Sequence, residues 1–145
     1  MFWGLIVCAA GLATMRAAID RGDVDEASRQ GMLAGPGIVE QALLATDRPA
    51  QLAGIASAPT VAGREELLGS LAKVAGGPDR RTALPAARAA LAIARELAAR
   101  IDLPDDLAPD DIATWRQLYV DLAKDRDRWI ELRVIALDTA AALDR

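Results

Sequence analysis

Arg81, Arg88 and Arg95 recur every seven residues, so on a helix they share one slowly drifting face. Three planar guanidiniums in a row can clamp an acidic peptide or a phosphate-bearing surface through forked hydrogen bonds. The same spacing also describes the solvated side of an amphipathic helix, with Glu96 and Arg100 as a favourable i, i+4 pair. The solvated side is the favoured reading, and the three arginines stand as a candidate interaction face. Asp102, Asp105, Asp106, Asp110 and Asp111 form the other charged group, and several carboxylate oxygens are what calcium requires. The Asp-x-Asp-x-Asp-Gly order of a calcium loop is absent, however. Asp110 and Asp111 instead follow Pro109 and fit the first turn of a helix, where carboxylates face the positive end of the helix dipole.

The remaining inventory excludes much chemistry. The chain has no histidine, the commonest general base and a frequent transition-metal ligand. Its single cysteine, Cys8, permits neither an intrachain disulfide nor a thiolate cage. No spacing sets two carboxylates across a pocket as acid and base. No catalytic, cofactor-binding or metal-binding residue is therefore assigned, no cofactor is expected, and the chain reads as a non-enzyme. Trp115, Tyr119 and Trp129 fall at helical spacing among aliphatic residues and read as core aromatics.

The elements that carry these residues are helical. Of the 145 residues 52% are hydrophobic, which rules out a disordered composition, and much of that share is alanine. Alanine loses no side-chain entropy in a helix and lets helices approach closely. β-branched residues never alternate with polar ones over a strand's length, so the fold class is all-α. The net charge of −4, with both signs interleaved, argues against a nucleic-acid partner, which calls for a basic footprint.

Local punctuation divides the chain. Gly22-Asp23 ends one helix and caps the next, and Gly35-Pro36-Gly37 breaks the chain again. Short helices are predicted over 39–45 and 48–57, then one over 61–75 capped by Thr60 and stopped by Gly76-Gly77. Pro78-Asp79 opens the longest run, to about Arg100, with Pro85 in a first turn capped by Thr82 and a stripe of Leu84, Ala87, Leu91, Ala94 and Ala98. A helix starting at Pro109 carries Ile112, Trp115, Tyr119 and Leu122 on one face. The last helix, about 128–143, has two apolar lines: Ile130, Val134, Leu137 and Ala141, and Leu132, Ala136, Ala140 and Leu143. An arc that wide predicts cover on more than one side.

Residues 1–14 form an apolar N-terminal segment, and residues 15–145 a single helical repeat domain. Phe2 to Ala13 is uncharged and shorter than a membrane span, so it reads either as a signal remnant or as part of a first core helix over Trp3 to Ile19, burying Trp3, Leu5, Ile6 and Leu12. The signal reading is preferred, which favours an exported protein of the periplasm or envelope over a cytoplasmic one. Any membrane contact would run through this segment alone.

Asp127, Leu132, Arg133 and Ala136 then carry a resemblance. An aspartate, an apolar residue, an arginine and a small residue in this order resemble the second helix of a HEAT repeat, a helix pair that stacks into α-solenoids. The resemblance implies that a loop aspartate pairs with the helix arginine and that the small residue permits tight packing. Two weaker registers start at Asp47, with Ala53 in the arginine position, and at Asp79, with Pro85 there. The implied fold is a short HEAT-like α-solenoid of paired antiparallel helices; the alternative is an irregular helical bundle. The implied function is a non-enzymatic scaffold for an unidentified protein partner. The alternative is a structural or regulatory accessory domain of a larger, envelope-associated assembly.

Overall fold

Helix boundaries fall where capping chemistry puts them. In the computed structural model, residues 2–100, 102, 103, 105 and 107–144 are described, with side chains from Gly11 onward. Among them every regular element is helical: α1 (Phe2–Asp20), α2 (Val24–Ala34), α3 (Pro36–Leu43), α4 (Arg48–Ser57), a 3-10 turn (Arg64–Leu67), α5 (Leu68–Ala75), α6 (Arg80–Ala99), α7 (Pro109–Lys124) and α8 (Ile130–Ala142). Asp23, Asp47 and Asp79 each accept a first-turn backbone N–H, from Glu26, Ala50 and Arg81. Each thereby satisfies a donor the helix leaves without a partner. Pro36 and Pro109 stand in first turns, where the missing N–H costs nothing. Gly22, at φ 75°, takes the left-handed conformation that ends α1.

The 61–75 segment differs from expectation. Thr60 caps nothing; its hydroxyl donates to the Ser57 carbonyl, and a 3-10 turn precedes the shorter α5. Pro85 also lies beyond the first turn of α6, because Asp79 starts that helix and the Thr82 hydroxyl donates to the Asp79 carbonyl. The buried stripe of α6 is Ala83, Ala86, Ala87, Ala90, Ile93, Ala94 and Leu97, with Leu84 and Leu91 at its edge and Ala98 exposed. Arg81, Arg88 and Arg95 mark the solvent side of this helix, but with alanine at most other positions the local pattern does not fix how far the packed face extends.

The chain divides into two compact units, Met1–Ser70 and Leu71–Arg145. α1 runs unbroken through residues 14 and 15, and its later turns bury Met15 and Ala18 completely. The side chains of Trp3, Leu5 and Ile6 lie outside the described residues. Among the described residues no helix is long and apolar enough to cross a membrane.

In the first unit α2 packs on α4, and α1 on both. Their meeting point is set by size. A Cβ built on Gly31 of α2 would stand 2.0 Å from Ser57 Oγ and 3.0 Å from Met15 Cε. The buried Ser57 hydroxyl lies 2.8 Å from the Ala53 carbonyl and 3.1 Å from the Ala27 carbonyl, so its single proton is shared across the α2–α4 contact. Gly54 plays the same part against α3, where a Cβ would meet the Leu43 backbone nitrogen at 2.8 Å. Ser70 adds a polar tie by donating to Glu40 at 2.8 Å.

Gly31→Ala should destabilise the protein by about 1–3 kcal/mol, because overpacking outweighs the roughly 1 kcal/mol gained in helix propensity. Gly37→Ala, with open space around its Cβ, should be neutral or slightly stabilising. Urea titration followed by circular dichroism checks both. Equal stability of the two variants would refute the close-packing account.

Candidate functional site

The second unit holds α8 against α6 and α7, and the connection of α7 to α8 is short, as in antiparallel neighbours. That connection is a polar knot. The Asp125 carboxylate accepts the Asp127 backbone N–H at 3.0 Å and the Arg128 Nε at 3.1 Å. Those two bonds, the backbone one foremost, hold its pKa below the ordinary 3.8. Arg128 also donates through Nη1 to the Gly77 carbonyl at 3.0 Å. Arg80 of α6 lies over the Trp129 ring, 6.0 Å from its centroid, and pairs with Glu131 at 2.8 Å. The start of α8 is thus fixed from both sides.

One apolar line of α8 faces inward: Leu132, Ala136, Ala140 and Leu143 are buried with Thr139, whose hydroxyl donates to the Ile135 carbonyl. The other is uncovered. Ile130 is 72% exposed, Val134 54% and Leu137 60%. α8 is thus covered by two helices, α6 and α7, but its second apolar line stays bare: a helical period tells which residues share a line, and a line is buried only where a neighbour lies over it.

That line forms one wall of a groove of about 290 Å³. α7 contributes Val120, Ala123 and Lys124, and α8 contributes Ile130, Arg133, Val134 and Leu137. Arg133 crosses between the helices and donates through Nε to the Ala123 carbonyl at 3.0 Å. The implied pairing of Arg133 with a loop aspartate, Asp127 or Asp125, is not formed as an ion pair: Asp127 is exposed, Asp125 attracts Arg133 only at longer range, and the carbonyl at the end of α7 takes the guanidinium instead. Leu132 and Ala136 do sit in the packed positions that the motif implies. The lining offers apolar surface and two positive charges, and holds no acid–base pair.

The other candidates lie elsewhere. Arg81, Arg88 and Arg95 are all exposed on α6, and Arg95 reaches Asp138 only at 4.0 Å. Among the described residues no three His, Cys, Asp or Glu gather as metal ligands; Asp106 lies outside them. Tyr119 is buried as expected, and burial pushes its phenol far above its ordinary pKa, so it stays protonated. Ile112 is buried on the same face, with Trp115 and Leu122 half-buried. Sequence reasoning found Ile130, Val134 and Leu137 as a line but not the opposing Val120 and Ala123, whose small or branched side chains carry no signal of their own. No family model, curated protein or solved structure matches the chain.

Arg133→Ala should cost about 1–2 kcal/mol, the range for a charge-assisted bond to a backbone carbonyl. Combined with Asp127→Ala it should be additive within about 0.5 kcal/mol, since the two side chains do not meet. A larger coupling in a denaturation cycle would restore the aspartate–arginine pair. Asp125, its pKa depressed on folding, stabilises above its unfolded value of 3.8, and that share is lost as pH falls through the lower folded value. Melting temperature should therefore drop on acidification below that value, and less steeply in Asp125→Asn.

Proposed function

We propose that this chain is a non-enzymatic helical scaffold, HEAT-like in its helix pairing, that docks another protein in the groove between α7 and α8. The uncovered line of Ile130, Val134 and Leu137 carries the reading. Contiguous apolar side chains facing water mark interaction surfaces more often than scattered single ones do. Leu132 and Ala136 in packed positions support the HEAT-like part, whereas the unmade Arg133–Asp127 pair weakens it.

Magnitudes set the kind of complex. Covering what remains exposed of the three side chains is worth roughly 3–6 kcal/mol in total, at 1.5–3 kcal/mol for each full burial. A micromolar complex needs about 8 kcal/mol net of the losses on association. A partner must therefore also cover Val120, Ala123 and the polar rim. Such an interface suits an adaptor that binds and releases. The accessory-domain reading calls for a larger apolar face and a permanent partner, and it has no separate observation in its favour.

Leu137→Glu should leave the melting curve within about 0.5 kcal/mol of the parent, as for an exposed position outside the core. It should also abolish the partner's retention. Quantitative affinity purification with the two proteins as bait identifies that partner, and reconstitution from purified components must give a stoichiometric complex with the parent only. If every retained protein binds both baits equally, the groove is not the docking site.

A further inference from the structure

We propose, resting on the docking reading above, that the occupant of the α7–α8 groove is an amphipathic helix with carboxylates beside its apolar stripe. Ile130, Val134 and Leu137 stand at i, i+4 and i+7, which spans about 10 Å of helix at a rise of 1.5 Å per residue. Two turns of wall are what a docked helix meets with its own i, i+3/i+4 and i+7 anchors.

The sign of the rim selects the flanks. The chain as a whole is acidic, with 21 Asp and Glu against 17 Lys and Arg, yet the only charged residues lining the groove are Lys124 and Arg133. Among the described residues no carboxylate comes within ion-pair distance of either cation. The nearby Asp125 is bonded to Arg128 and to the Asp127 backbone, and it attracts Arg133 only as a longer-range charge. On the far side of α8 Glu131 pairs with Arg80 at 2.8 Å and Asp138 faces Arg95 at 4.0 Å, so each carboxylate on that flank has a cation beside it. Lys124 and Arg133 together exceed the partial offset from Asp125, so the charge left over at the groove is positive. A helix with acidic flanks completes it, and one with basic flanks is repelled while its apolar stripe is still attracted.

Two synthetic fluorescein-labelled peptides of about eighteen residues test this: both carry the same leucine stripe, one with glutamates flanking it and one with lysines. Anisotropy titration with the full chain should give saturable binding of the glutamate peptide at least tenfold tighter than of the lysine peptide. The preference should collapse at high salt, where charges screen over about 3 Å at 1 M. Lys124→Glu should reduce the preference severalfold, while Leu137→Glu should remove binding of both peptides. Equal affinity for the two overturns the acidic partner and leaves the docking reading standing. Binding of neither at millimolar concentration overturns both. Sedimentation velocity covers the remaining occupant: a concentration-dependent dimer that Leu137→Glu dissolves assigns the groove to a second copy and overturns the proposal.

Discussion

The contact of Gly31 with Ser57 is the constraint on which the first unit depends. There is no room for a methyl group between α2 and α4 at this point, and the buried hydroxyl that fills the gap is satisfied by two backbone carbonyls. A larger residue at either position would push the helices apart and expose a polar group or open a void. Gly54 repeats the device where α4 meets α3. Around this contact the helix surfaces are small, and the larger buried side chains, such as Met15, Val39 and Leu43, fill the space beside it. Their cohesion comes from short separations and many small dispersion contacts, which fade quickly as surfaces part.

The second unit solves the same problem with different means. Alanines on α6 form much of the floor, and the large inward residues come from several helices: Leu71 of α5, Ile93 and Leu97 of α6, Tyr119 of α7, and Leu132 and Leu143 at α8. What orients α8 on that floor is polar. Asp125, Arg128, Arg80 and Glu131 form bonds at its start, and Arg133 ties its second turn to the end of α7. A helix held this way presents its outer line in a fixed position. Ile130, Val134 and Leu137 face water with nothing folded over them among the described residues, and the groove beside them is a property of the backbone arrangement.

The groove and the arginine row of α6 differ in kind. Arg81, Arg88 and Arg95 are solvated side chains, with long, entropically costly reach and screened charges. The groove sets the half-buried Arg133 and the exposed Lys124 beside apolar walls, so an apolar partner that covers it takes water from these charges as well. This difference is why the functional proposal rests on α7 and α8, not on the residues whose spacing first suggested chemistry.

Helix identity and most helix ends were legible in the sequence because they are set locally. An aspartate reaches its own first turn, a proline presets its own φ and a glycine adopts its own left-handed conformation, as at Asp23, Asp79, Pro36, Pro109 and Gly22. α4 begins and ends at Arg48 and Ser57 as read from the chain alone. Thr60 and Thr82 were misjudged because a hydroxyl can donate backwards to a carbonyl as readily as cap forwards. What only the tertiary structure decided involves partners distant in sequence. The Gly31–Ser57 approach, the choice of Ala123 over Asp127 as the acceptor for Arg133, and the inward face of α6 all depend on where another helix lies. So does the exposure of one of two equally apolar lines on α8: periodicity places side chains around an axis, but burial requires a second surface, and its position is a property of the whole fold.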